Sequence, residues 1–191
     1  MRNYGWKKDK IDKRDFRFSP PAEVMENLPN CCLDATYMPI VFAQQSTSSC
    51  TGNAVSTMIA HLRSKENLPE QFIPSRLFNY YNGRIYSDTT ENDDGAQIRD
   101  VIKGVAKYGT CNEDLWKFDL VNVCSRPTYQ AYSEALNHKA VSYISIKQKL
   151  DHLKTCIALG YTFVFGMMLT EEFEGEEVAK TGNVNTPKKT D

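Results

Sequence analysis

The six cysteines of this 191-residue sequence include no Cys-x-x-Cys pair, and its three histidines, His61, His138 and His152, show no metal-ligand spacing. No metal site and no cofactor is therefore expected. The longest strongly apolar run, Tyr161 to Leu169, is far too short to span a bilayer, and Met1 to Lys10 lack the apolar stretch of a secretory signal. Charge of one sign is also missing: 23 basic residues face 24 acidic ones, which leaves no global field for nucleic acid or an anionic membrane. There is no internal repeat and no low-complexity tract. These absences describe a protein made without export, with neither nucleic acid nor membrane as partner, and long enough to bury a core as one domain or two small lobes.

What is present centres on Gln44-Gln45-Ser46-Thr47-Ser48-Ser49-Cys50-Thr51-Gly52-Asn53-Ala54, which runs into a helical pattern. A thiol at a helix N-terminus lies beside unsatisfied backbone N–H groups and the positive end of the macrodipole, which favour thiolate and make Cys50 a candidate nucleophile. Gln44, six residues upstream, is placed to join the Cys50 backbone N–H in holding an oxyanion. The bland alternative is a small buried cysteine at a helix start. His61 is excluded as the base, because eleven residues of helix put it ~16 Å from Cys50 along the axis.

Residues 1 to 27 are polar and basic, yet Tyr4, Trp6, Ile11, Phe16 and Phe18 are too many large apolar side chains for a free tail, so the segment is expected to lie on the body. Ser19-Pro20-Pro21 marks a joint, after which residues 28 to 43 lead in extended form to the nucleophile. Cys31 and Cys32 read as free thiols rather than a strained vicinal bridge. Ala54, Val55, Met58, Ile59 and Leu62 predict a helix from Cys50 to about Glu66 with that flank buried, ended by Asn67-Leu68-Pro69. Pro74-Ser75 opens a second helix, stopped near Asn82-Gly83. A third has Asp93 and Asp94 at its N-terminus, Ile98, Val101, Ile102 and Val105 on its apolar face, and Gly109 at its end. Beyond Pro127 follow a helix over 129–138, a strand over 141–146, a short helix through Leu150, Leu153 and Ile157 stopped by Gly160, a strand over 161–169, and an exposed acidic loop from Glu171.

The stretch around Cys50 resembles the active-site segment of papain-like cysteine peptidases in the variant form Gln-Gly-x-x-Gly-Ser-Cys-Thr-Ala-Asn-Ala. Gln44, Ser49, Cys50, Thr51, Asn53 and Ala54 match, Gln45 and Ser48 replace glycines, and Gly52 replaces an alanine. Thr47 stands where the family often has a disulfide-bonded cysteine, which points to a reducing compartment and an intracellular or virion setting. Asp93 to Trp116 is similar to family members with Asp-x-Gly-Ala-x-Ile-Arg-Asp followed by Lys-Tyr-Gly-x-Cys-x-Glu-x-Leu-Trp. There the resemblance implies that Gly95 and Ala96 pair through their backbone with the substrate's second residue on the acyl side. Residues 4 to 16 resemble the leader before the mature domain in some bacterial and viral members, and the part after Pro127 resembles the start of the second, β-barrel lobe.

The resemblance implies an α+β, two-lobe papain-like fold: a leader or short pro-segment over 1–27, a complete helical lobe over 28–125, and a truncated antiparallel β lobe over 126–191. The family's Gly-His-Ala-Val and Asn-Ser-Trp segments, with the catalytic histidine and orienting asparagine, are absent from these residues. The implied function is thiol-dependent hydrolysis of peptide or protein substrates through a Cys50 thioester, with histidine and asparagine supplied by a C-terminal fragment that completes the β lobe. Without that fragment, the chain is expected to have little or no activity. The competing expectation is an inactive binding or structural protein that keeps the lobe. A transglutaminase-like acyl transferase ranks below both, since its motifs are not found.

Overall fold

A computed structural model describes residues 4–29, 41–68 and 72–184; Cys31, Cys32 and the tail after Val184 lie outside the described residues. The elements in chain order are β1 (Trp6–Lys7), α1 (Ala22–Glu26), α2 (Cys50–Lys65), α3 (Arg76–Arg84), β2 (Ala96–Gln97), α4 (Ile98–Tyr108), α5 (Tyr129–Ala135), α6 (Leu150–Ala158) and α7 (Glu176–Thr181).

The core lies where α2, α3, α4 and α5 meet, and α3 is its axis. Ser75 caps α3, accepting from the Phe78 N–H at 3.2 Å while its hydroxyl donates to the Trp116 carbonyl at 2.6 Å. All nine α3 residues are buried, which requires neighbours with little side chain. Gly52 of α2 supplies one such contact, since a Cβ there would sit 2.7 Å from the Tyr80 Cβ. Gly83 supplies the other, where a Cβ would meet Val101 of α4 at 2.6 Å. The expected stop at Asn82-Gly83 is therefore corrected: Gly83 is a helix-crossing residue, and α3 continues to Arg84 before a single 3-10 turn over Ile85–Ser87. The other end signals hold, as Gly109 closes α4 at φ +81° and Gly160 follows α6 at φ +79°.

Helix α2 starts and ends as its pattern predicts, but it buries a different face. Thr51, Gly52, Asn53, Val55, Ser56 and His61 are buried, whereas Ala54, Met58 and Leu62 are only half-covered. Contact with α3 is so close that small and polar residues win the interface from the larger apolar ones. Ala131 and Ala135 of α5, at the start of the second stretch, are completely buried in the same cluster as Phe78 and Val101, and α5 ends at Ala135 rather than His138.

The β part of this α+β chain is small. Its two-stranded sheet is parallel, with Trp6 opposite Ala96 and Lys7 opposite Gln97. Among the described residues, the strands expected over 141–146 and 161–169 form no antiparallel ladder; Ser145 makes only a parallel bridge with Arg17. A strand needs a hydrogen-bonding neighbour along its length; within 141–146 only Ser145 has one, through the Phe16 carbonyl and the Phe18 N–H, and 161–169 pairs with no strand among the described residues. The acidic stretch expected as loop forms a 3-10 turn over Glu171–Glu174 and then α7, although both stay exposed. No helix among the described residues is long and apolar enough to cross a membrane.

The leader lies on the body, as its aromatic content predicts. Beyond β1, Asp15 makes an ion pair with Arg99 in which both side chains are largely covered, and the Arg99 N–H donates to Asp9 at 3.2 Å. Trp6 is the packing aromatic; Phe16 and Ile11 stay exposed, and Phe16 is held only by its carbonyl, which accepts from the Ser145 N–H at 2.8 Å.

Candidate active site

Cys50 is the first residue of α2, and its thiol is half-buried beneath the leader. Burial pushes the thiol up, against the lowering effect of the Thr51, Gly5 and Cys50 N–H groups, and the Asp93 carboxylate pushes in the same direction as burial. The thiolate-favouring helix terminus expected from sequence is present, but in this covered state desolvation outweighs it.

The loop before Cys50 is fixed by its own side chains. Gln44 Nε2 donates to the Thr47 carbonyl at 2.9 Å, so its amide closes the loop rather than standing free beside the thiol. Thr47 Oγ1 donates back to the Gln44 carbonyl at 2.8 Å and shares a 2.6 Å hydrogen bond with Ser49. Asn53, one turn into α2, donates to the Ser49 carbonyl at 3.0 Å and to its hydroxyl at 2.9 Å. Behind Asn53, Arg76 pairs bidentately with Glu113 at 2.6 and 2.9 Å, donates to the Ala43 carbonyl and to Asn53 Oδ1, and lies 3.9 Å from the centre of the Phe118 ring.

The departures from the family pattern have local consequences. Gln45 sits at φ +52°, in the left-handed region where a glycine would rest without strain. Gly52 cannot be the alanine of the pattern, because that methyl would lie 2.6 Å from the Arg76 carbonyl oxygen.

Gly95 and Ala96 face the leader. Gly95 has φ +78°, and a side chain there would meet the Gly5 carbonyl oxygen at 1.9 Å, while the Ala96 N–H donates to that same oxygen at 2.9 Å. Trp6 follows into a cavity of about 500 Å³ bordered by Cys50, Ala54, Ile98 and the 164–171 segment. The indole packs on the bare Cα of Gly166, where a Cβ would come within 2.0 Å of the ring. Tyr4 closes this end by donating to Glu174 at 2.7 Å.

Among the described residues no histidine borders this cavity. His61 is buried within α2, His138 pairs with Glu134 at 3.0 Å, and His152 is buried in α6. No cluster of described residues fits a metal ion. Burial raises the thiol of Cys111, to about 12, and that of Cys156.

Sequence reasoning missed Asp93. Its sequence position predicts a place at the N-terminus of α4, but that helix is led by Gln97 and carries Asp100 in its first turn. The Asp93 carboxylate instead accepts from the Ser48 N–H at 2.8 Å and from the Tyr80 hydroxyl at 2.7 Å. The available signal was the Gly95-Ala96 pair between Asp93 and the apolar pattern, which distances the carboxylate from the helix.

No family model matches the chain. It is 34% identical to an uncharacterized peptidase C1-like protein of Acanthamoeba polyphaga mimivirus, over 98% of this chain and 68% of that protein. Among solved structures it resembles xylellain, a cysteine protease from Xylella fastidiosa, with a TM-score of 0.76 and 36% identity over 82% of this chain. The chain spans 63% of the xylellain chain, just under two thirds.

Proposed function

The chain belongs to the papain-like family of cysteine peptidases, and on that premise we propose that it is the nucleophile-bearing part of a peptide-bond hydrolase. Cys50 attacks the scissile carbonyl, and the tetrahedral oxyanion is held by the Cys50 N–H and by Gln44, whose amide must first leave the Thr47 carbonyl. Collapse breaks the C–N bond, leaves a thioester on Cys50 and sends the amine away with a proton; water then hydrolyses the thioester. The proton donor is a histidine, oriented by an asparagine, from a segment outside these residues. Gly95 and Ala96 offer their backbone to the substrate, and residues 1–27 act as a short pro-segment.

The observation that carries this reading is that a peptide already lies in the cleft: Gly5 accepts from the Ala96 N–H at 2.9 Å, immediately beside Cys50. A stretch of chain paired along β2 next to a thiol at a helix N-terminus is the arrangement that peptide hydrolysis requires. The alternative, an inactive binding protein, is favoured by the raised Cys50 thiol and by a cavity without histidine among the described residues.

The test is hydrolysis of a fluorogenic peptide by wild type and Cys50→Ala, with intact mass measured on the same samples. Little turnover at 21.8 kDa, with Cys50-dependent turnover in a longer form, fits the proposal. Full Cys50-dependent turnover at 21.8 kDa would force a histidine already present into the role of base. No turnover in any form supports the binding protein.

A further inference from the structure

We propose that Asp93 and Tyr80 are positioning residues that tie the loop before the nucleophile to the strand that pairs with peptide, so that the two are set by one shared anchor. The relay consists of three hydrogen bonds. The Ser48 N–H, two residues before Cys50, donates to one Asp93 oxygen at 2.8 Å. The Tyr80 hydroxyl donates to the other at 2.7 Å. The Gly95 N–H, at the entry to β2, donates to that hydroxyl at 2.8 Å.

Each partner is held from behind. Tyr80 is completely buried, with its ring centre 4.1 Å from the Arg84 guanidinium. Arg84 is itself buried, and it donates to the carbonyls of Asn92 and Val123. The buried cation therefore grips the residue next to Asp93 and stacks on the tyrosine that binds Asp93. Such a carboxylate has little freedom, and hydrogen bonds to a charged acceptor are the strong ones. Gly95 at φ +78° gives the strand an entry that depends on where its N–H is anchored.

A displacement of about 1 Å between reacting groups costs on the order of 10²-fold in rate. A nucleophile on one element and a peptide-binding strand on another would drift independently if each had its own support. The Asp93 and Tyr80 pair removes that independence, and through Ala96 and Gly5 it also sets how closely the leader covers Cys50. The catalytic importance of this coupling rests on the reading of Cys50 as nucleophile, but the coupling itself does not.

The test uses Tyr80→Phe in the full chain, with amide exchange followed by NMR and iodoacetamide labelling of Cys50 followed by mass spectrometry across pH. The Ser48 amide, which Tyr80 does not touch, should exchange faster by about tenfold, the scale of one hydrogen bond to a charged group. Cys50 should label several-fold faster at about pH 8, because a loosened leader buries the thiol less. A merely structural tyrosine would change the Gly95 amide and leave both of these unmoved. Failure of either to respond overturns the proposal. If Tyr80→Phe does not fold, Asp93→Asn is read at Gly95, an amide that Asp93 does not touch: faster exchange supports the relay and unchanged exchange overturns it. None of these readouts needs turnover, so coupling with no hydrolysis by any form would sink the peptidase reading and leave the relay standing.

Discussion

The stretch from α2 to α5 and the stretch after it carry the same kinds of apolar residue and bury them to opposite degrees. Phe78 and Val101 are completely buried, whereas Phe165 is 65% and Met168 88% exposed. A helix satisfies its backbone internally and needs only a surface to pack on, so four helices can close a core among themselves. A strand must find its hydrogen-bonding partners in other segments, and over 161–169 it finds none among the described residues. The second stretch meets the leader, through Trp6 on Gly166 and Phe16 on Ser145, and it meets α2 where Lys65 donates to the Gly160 carbonyl and His61 faces Thr162.

The comparison is broken most directly at two phenylalanines. Phe78→Ala should cost about 3 to 5 kcal/mol, the usual loss for a fully buried ring, while Phe165→Ala should stay within about 0.5 kcal/mol. Urea denaturation of the two variants reads this difference. Equal losses would mean that the 161–169 segment shares the core after all.

The next effect lies within the helical half. The Arg76 and Glu113 side chains are only 10% and 18% exposed, so Glu113→Ala leaves a covered guanidinium without its carboxylate. The expected loss is about 2 to 3 kcal/mol, below that of a fully buried pair because some solvent reaches both groups. Glu113→Gln should lose less, since it keeps one acceptor. If both variants match wild type in denaturant, the pair is a surface contact and not a strut behind Asn53.

The leader's contact with the second stretch can be opened with Gly166→Val, which places a side chain where the Trp6 ring lies. Burial, the largest influence on Cys50, holds its thiol above the ordinary value of 9.0. The folded value therefore exceeds the unfolded one: the protonated thiol favours the fold below the unfolded value, and that contribution is lost as pH rises through the folded one. Displacing the leader uncovers the thiol, so the midpoint of Cys50 alkylation against pH should move down and its rate near pH 8 should rise several-fold. An unchanged profile would mean that Trp6 does not govern access to Cys50.

How much of this was legible in the sequence depends on the range of the interaction involved. Helix positions followed from local pattern and caps, and the Cys50 segment was visible as a motif. Gly83 was misread as a stop because a glycine that breaks a helix and one that admits a neighbouring helix look alike until Val101 is seen against it. Asp93 was misassigned for the same reason, since its partners Ser48 and Tyr80 lie 45 and 13 residues away. The covering of Cys50 by Gly5 was legible only as a surplus of aromatics in a polar leader, which said that the segment packs but not that it pairs with Ala96.

The smallest effect is expected at Gln45, where the departure from the family's glycine can be weighed. At φ +52° a side chain crowds its own backbone, at a cost of roughly 1 to 2 kcal/mol. Glycine relieves that cost but loosens the unfolded chain, which takes back about 0.4 to 1 kcal/mol. Gln45→Gly should therefore stabilise by about 0.5 kcal/mol. Gln45→Ala should not, because alanine keeps the Cβ that causes the strain. Asp88, at a similar φ of +53°, is the control: aspartate tolerates this region better than glutamine, so Asp88→Gly should gain less. Denaturant midpoints for the three variants decide the matter. A gain from Gln45→Ala equal to that from Gln45→Gly would show that the glutamine side chain, and not the backbone conformation, carries the cost in the loop before Cys50.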